Sequence, residues 1–243
     1  MKKAYCKIKV FLVTLFTVCL IFFNASCGLD QIYVIDEPGS VVHEPVYTSI
    51  FNEDKYFEFI TNERKYEGVK FLGTEVYYKI YRNSTIMENE SKSIISASLN
   101  DSSTSKAADQ LISNYKFKSL EAAGFNSEAV LIPAEAKNRK IRIRLDDISP
   151  YDAGIYIDDE NIYGSSSRVI PVRNVPERLS FNFLAAEPNT VPKSDDEDVK
   201  YSGTGSDTEW YICMFAVSVA QDVNFVPVYS NVLYLGSVKI DVK

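Results

Sequence analysis

The run from Trp210 to Ala220, Trp-Tyr-Ile-Cys-Met-Phe-Ala-Val-Ser-Val-Ala, is apolar at odd and even positions alike. Successive side chains of a strand point to opposite faces, so this run reads as a central strand of a β-sandwich. A turn is expected at Gln221–Asn224. After it, Pro227-Val-Tyr229-Ser230-Asn231 leads into a strand at Val232–Leu235 that stops at Gly236. Val238, Ile240 and Val242 then alternate with Lys239, Asp241 and Lys243, which predicts a closing edge strand whose lysines discourage further pairing.

The same period of two recurs upstream. Tyr56–Ile60 places Phe57 and Phe59 on one face, and Val69–Leu72 is a second short strand. After Gly73, Val76, Tyr78 and Ile80 alternate with Glu75, Tyr77, Lys79 and Tyr81, which puts one face in a core. Further strands are expected at Ala129–Ile132, Lys140–Leu145, Val169–Val172 and Leu179–Leu184, the last with Phe181 and Phe183 inward. Gly154–Ile157 and Asn161–Gly164 flank Asp158-Asp159-Glu160 as a hairpin. Abundant Tyr and Phe with a single Trp suit pleated sheet better than helix.

Two stretches break this pattern. Ile86–Ser105 is polar and serine-rich and reads as a mobile loop. Thr104 or Ser105 would then cap a short helix through Ala107, Ala108, Leu111 and Ile112, before Tyr115-Lys-Phe117-Lys alternates like a strand. Ala186–Thr208 contains two prolines, an acidic knot at Asp195–Asp198 and Ser202-Gly-Thr-Gly-Ser; an irregular stretch of this length is expected to be disordered or interactive. The expected organisation is an export signal over 1–26, an extended tether over 27–50, and a β-sandwich over 51–243 with insertions at about 86–125 and 186–208.

Tyr211-Ile-Cys-Met-Phe-Ala216-Val-Ser-Val, a short loop, and Tyr229-Ser230-Asn231-Val232 resemble the last two strands of a fibronectin type III domain. Glu75–Arg82 is similar to the third strand of that family. The resemblance implies a mainly β, immunoglobulin-like sandwich carrying a short helix and long loop insertions. A β-barrel is the rival architecture, against which the helix and the irregular strand spacing count.

The N-terminus carries Lys2, Lys3, Lys7 and Lys9, then an apolar run Val10–Phe23 interrupted by Thr14 and Thr17. That run is short for a membrane span and matches the core of a secretory signal. Ala25, Ser26 and Cys27-Gly28 follow, and this order resembles the lipobox of bacterial lipoproteins, whose cysteine is acylated and becomes the mature N-terminus. Asn24 stands where the family usually has an apolar residue; spirochaete lipoproteins tolerate such a box, and Cys27-Gly28-Leu29-Asp30 is similar to their mature start. An ordinary signal peptide cleaved near Ser26, leaving a soluble periplasmic protein, is the alternative. Acylation would tether the chain firmly, because each buried methylene contributes about 0.8 kcal/mol. The resemblance implies a cell-envelope location, at the outer membrane or the periplasmic face of the inner one.

Chemistry is sparsely provided for. The net charge of −7 argues against a nucleic-acid partner. Cys6 and Cys19 lie in the signal and Cys27 takes lipid, so Cys213 stands alone, without a disulfide framework, as a small buried apolar residue. His43 is the only histidine, which removes Ser-His-Asp and His-rich metal sites. Ser202-Gly-Thr-Gly-Ser lacks the strand, helix and lysine of a phosphate loop. Asp146-Asp147 and Asp158-Asp159-Glu160 are neighbours in sequence, but adjacent strand residues face opposite ways. The acidic clusters Asp158, Asp159, Glu160 and Asp195, Asp196, Asp198 are calcium candidates without EF-hand spacing, and solvated turns are commonly acidic as well. Arg139, Lys140, Arg142 and Arg144 form a basic stripe, either a plain solvent face or a patch for a protein or an anionic glycan. The expectation is therefore a membrane-anchored protein with a binding or structural role, needing no cofactor and holding no catalytic residue. A surface carbohydrate- or peptide-binding module is the alternative, and a carboxylate-based hydrolase the remoter one.

Overall fold

Strand β3 (Val69–Tyr81) is buried on both faces from Val76 onward, and the layers of the molecule follow from that. The computed structural model describes residues 33–62, 66–100, 106–124, 130–136, 138–161, 169–202 and 208–243. The expected export signal, Cys27, the expected helix caps Thr104 or Ser105, positions 162–164 of the expected hairpin, and the glycines of the Ser202 loop lie outside these residues. Among the described residues no helix is long and apolar enough to cross a membrane.

The protein is mainly β, built on antiparallel sheets. One sheet runs β1 (Ser40–His43), β2 (Phe57–Ile60), β7 (Lys140–Arg144), β8 (Gly154–Ile157), β9 (Glu160–Asn161). The other is centred on β3, β12 (Glu209–Asp222) and β13 (Pro227–Asp241). Along the free edge of β3 lie three short segments: β4 (Lys118–Ser119), β6 (Ile132–Pro133) and the parallel β11 (Val199–Lys200). A separate pair joins β5 (Glu121–Ala122) to β10 (Pro171–Val172).

Two cores follow. Phe57, Phe59, Ile141, Ile143 and Ile155 of the first sheet meet Val76, Tyr78, Ile80, Ile212, Met214 and Ile240 of the second, with Phe181 and Phe183 filling between them. On the opposite face of the second sheet, Tyr77, Tyr81, Cys213, Phe215 and Val217 pack against helix residues Met87, Ile94, Ala107, Ala108 and Leu111. The apolar character of β12 at odd and even positions thus reflects sheet on one side and helix on the other.

The helical layer corrects the sequence expectation. Ser84–Asn100, expected as a mobile loop from Ile86 onward, is a helix, α1. Asn83 caps it by accepting a hydrogen bond from the Ile86 amide (3.1 Å). Met87, Ser91, Ile94 and Ala97 recur at helical spacing and are buried, so Ser91, one of the serines that made the segment look polar, is a small residue in contact with Cys213 of the sheet. The second helix, α2 (Lys106–Asp109), falls where it is expected and passes into a π-helical turn, Gln110–Asn114.

Other boundaries shift for local reasons. Val69–Leu72 and Glu75–Arg82 fuse into β3 through Gly73, where φ is +143° and a Cβ would lie 2.1 Å from the Ile132 carbonyl oxygen. The two expected C-terminal strands fuse likewise into β13. Leu179–Leu184 is not a strand, although Phe181 and Phe183 point inward as expected; only Ser180 bridges to Val172. Residues 33–50, expected as an extended tether, are extended but docked. Gly39 donates to the Ile60 carbonyl (2.8 Å), β1 pairs with β2, and the Pro45 carbonyl accepts from the Ser237 amide (2.9 Å).

Candidate functional site

Buried polar groups are the first place to look for chemistry, because burying charge is costly unless it is paired. Arg173 follows β10 and is fully buried, as is Asp198, which precedes β11. Arg173 Nε donates to Asp198 Oδ2 (2.9 Å), and Nη2 donates to Asp198 Oδ1 and to Asp196 Oδ2, both at 2.6 Å. The Tyr78 hydroxyl, from the middle of β3, donates to Asp198 Oδ2 (2.6 Å) and accepts from the Asn174 amide (2.7 Å). Burial and the neighbouring carboxylate push the Tyr78 phenol well above its ordinary range, so it stays a donor. The forked pair is fully satisfied by internal partners on the Asp198 side, which suits a clamp rather than a proton-transfer site.

A second buried polar group sits beneath the helices. Lys79 Nζ donates to Glu90 Oε2 (3.2 Å) and to the Tyr115 carbonyl, while the Tyr81 hydroxyl donates to the same Glu90 oxygen (2.8 Å). Desolvation lowers the Lys79 pKa, and the Glu90 carboxylate opposes that shift. Cys213, across from Lys79 in the sheet register, is fully buried, with Sγ 3.3 Å from Ser91 Oγ. Burial pushes its thiol up to about 12, so at neutral pH it is the small protonated residue the sequence led us to expect. His43, the only histidine, stacks on Tyr56 with ring centroids 4.0 Å apart, its Nδ1 2.8 Å from the Tyr56 carbonyl oxygen.

The basic stripe and the Asp158 cluster answer each other. Asp158 and Asp159 occupy the β8–β9 turn with positive φ at both positions. Arg139 pairs with Asp158, Lys140 with Asp159 (3.1 Å), and Arg142 with both Asp159 and Glu58 (2.8 Å each). Arg144 donates to the Asn52 and Glu53 carbonyls and lies over the Tyr151 ring at 4.6 Å. Of the other acidic candidates, Asp196 and Asp198 face Arg173, whereas Glu160 and Asp195 are exposed. Asp146 is buried beside Lys243 Nζ (2.8 Å), and Asp147 accepts from the Ala153 amide (2.8 Å). Among the described residues, no three His, Cys, Asp or Glu side chains come together as a metal site requires.

Among the described residues a cleft of about 430 Å³ opens where the docked lead-in passes the open end of the β12–β13 hairpin, and a smaller one of about 340 Å³ lies along Val34–Gly39 beside Asn62 and Asn231. Tyr47 and Tyr211 meet edge to face at the base of the larger cleft, centroids 5.4 Å apart, and the Tyr47 hydroxyl donates to Glu88 (2.5 Å). Lys239 is held between Glu209 (2.9 Å) and Asp241 (3.3 Å) on one wall, with Asn52 and Lys55 on the other. Ile50, 83 % exposed, lies on its rim, with Phe51 exposed beside it. Aromatic edges and exposed apolar side chains mixed with amide, ammonium and carboxylate groups suit a polar ligand with an apolar face. Sequence reading missed these residues because the segment looked like a tether. The apolar pairs Val46-Tyr47 and Ile50-Phe51 between polar neighbours were the available signal.

Comparison of the chain with family models, with curated proteins and with solved structures returns no match. Two consequences of the geometry can be measured. Arg173→Met should destabilise the chain by about 3–5 kcal/mol in urea unfolding, because it strands the Asp198 carboxylate in the interior. Adding Asp198→Asn should recover part of that loss, and simple additivity in the double-mutant cycle would show that the pair does not couple. For Cys213, iodoacetamide at pH 8 should leave its peptide unmodified in the folded chain and alkylate it once denaturant is added. Equal labelling in both states would contradict the burial and the raised thiol pKa.

Proposed function

We propose that this chain is an exported envelope protein, tethered to a membrane by acyl groups on Cys27, whose folded part binds a partner rather than catalysing a reaction. The lipobox-like Ala25-Ser26-Cys27-Gly28 behind a charged and apolar leader carries the anchoring half of this reading. The binding half is supported by how side chains are used. The buried Arg173, Lys79 and Asp198 engage internal partners, and the thiol of Cys213 is sealed, while the Tyr47–Tyr211 cleft stays open to solvent.

The fibronectin type III-like reading of the sandwich belongs to the same proposal. In an immunoglobulin-type domain the third, sixth and seventh strands share one sheet, and the first, second and fifth share the other. The neighbours β3–β12–β13 and β1–β2–β7 correspond to those sets. Two features depart from the family: β8, next to β7, follows it in the chain where the fourth strand would precede the fifth, and a helical layer covers the second sheet.

Labelled palmitate should enter the wild-type chain in cells and not Cys27→Ala, and the variant should move from the detergent phase to the aqueous phase. Label in the variant, or its retention in detergent, would remove the anchor. The cleft favours a saccharide or peptide as the ligand class, since it offers stacking edges beside paired charges. Tyr47→Ala with Ile50→Ala should lower retention of the full chain on envelope glycan or peptide arrays about tenfold, a loss of the size expected for two contact side chains. Unchanged retention would place binding elsewhere.

A further inference from the structure

The turn between β12 and β13 exposes its largest apolar side chains: Val223 is 69 % exposed, Phe225 78 % and Val226 54 %. Scattered exposed apolar residues are ordinary, but three within four positions at the tip of a long hairpin are a patch. The tip is also built to hold its shape. Asp222 Oδ1 accepts from the Asn224 amide (2.9 Å) and the Val226 amide (2.7 Å), and Gln221 Nε2 donates to the Phe225 carbonyl (3.2 Å). The amides of Asn224, Phe225 and Val226 and the carbonyls of Phe225 and Val226 therefore have partners within the turn, which lowers the cost of moving it out of water. Phe225 itself has φ +64°, a conformation that glycine or asparagine adopts more easily. Its ring is displayed at a backbone position that disfavours it.

The position of the tip says what it faces. Val69, the first residue of β3, pairs with Asp222 at the base of the turn. Gly68 precedes it, and a Cβ there would lie 2.8 Å from the Tyr33 ring. Tyr33, the first described residue, thus sits beside the base of the hairpin turn. Cys27 is six residues earlier, within about 20 Å of extended chain. The Tyr47–Tyr211 cleft lies at the other end of the hairpin, eleven strand residues from Asp222, or about 36 Å along β12. The apolar tip and the lead-in from the anchor therefore share one end of the domain, and the open cleft occupies the opposite end.

We propose that Val223, Phe225 and Val226 enter the interfacial region of the same leaflet that holds the Cys27 acyl chains, seating the domain with its cleft pointing away from the membrane. This rests on the lipid-anchor reading above, and a single preparation tests the two separately. Full-length wild-type and Phe225→Trp chains are purified from membranes, the mass of the N-terminal peptide is measured, and both are reconstituted into phosphatidylcholine vesicles with and without brominated acyl chains. Wild-type emission comes from the buried Trp210 and serves as the baseline. Emission from the introduced indole is expected to fall about twofold with brominated lipid, since interfacial insertion of ~5–10 Å brings it to the quencher, and vesicles should also shield it from acrylamide. An acylated variant whose added emission is unquenched by bromine and open to acrylamide overturns the proposal while leaving the anchor intact. Shielding from acrylamide in detergent, without bromine quenching, overturns it in favour of a second copy or a protein partner on the tip. An unacylated N-terminus overturns the anchor, and the bromine signal then still decides whether the tip enters lipid unaided.

Discussion

The fork between Arg173 and Asp198, closed by the Tyr78 hydroxyl, is the constraint on which the rest of the chain's path depends. Tyr78 lies in the central strand, Arg173 follows β10, and Asp198 comes from the long irregular stretch after the prolines. An ion pair removed from water is tolerable only when geometry and hydrogen bonding are nearly complete. That requirement sets the placement of Val199–Lys200, which pairs in parallel with Ile80–Tyr81, and the Asp198 carbonyl accepts from the Ile80 amide (2.9 Å). The stretch that composition marks as irregular is thereby stitched to the middle of the sheet.

A second constraint is that β3 from Val76 to Tyr81 and β12 from Ile212 to Ala220 have no solvent face. Their alternate residues serve two cores, one shared with the five-stranded sheet and one with α1 and α2. Lys79 shows the consequence. Alternation alone would place it in water, but it lies under the helices and needs Glu90 and the Tyr115 carbonyl to be there. Cys213 is its neighbour across the sheet and is sealed by the same layer. Lys79 and Cys213 are thus engaged inside the fold, whereas the Tyr47–Tyr211 cleft and the tip at Val223, Phe225 and Val226 are exposed.

Those surfaces are separated along one axis. The lead-in from Tyr33 runs past Gly68, pairs as β1 with β2, touches β13 at Ser237 through Pro45, and reaches Tyr47 beside Tyr211. The segment that the sequence marks as a tether thus also forms one wall of the cleft.

By itself the sequence determined that the segments carrying Phe57/Phe59, Ile141/Ile143 and Val76/Tyr78/Ile80 are extended and which face of each is apolar, because a period of two has only one economical reading there, whereas Leu179–Leu184, expected as a strand, is irregular. It also determined that Cys213 would be buried and that Asp158-Asp159 would turn a hairpin, both properties of a few neighbouring residues. Helix α1 was not legible, since Ser91 is buried beside Cys213, from a distant strand, and looks polar without that partner. Nor could spacing reveal that the basic stripe and the Asp158 cluster neutralise one another, that Asp198 meets Arg173, or that the lead-in builds a cleft with Tyr211. Periodicity is a local property of the chain, whereas charge pairing and concavity are made by residues far apart in sequence, and only the packing of the sheets and helices brings them together.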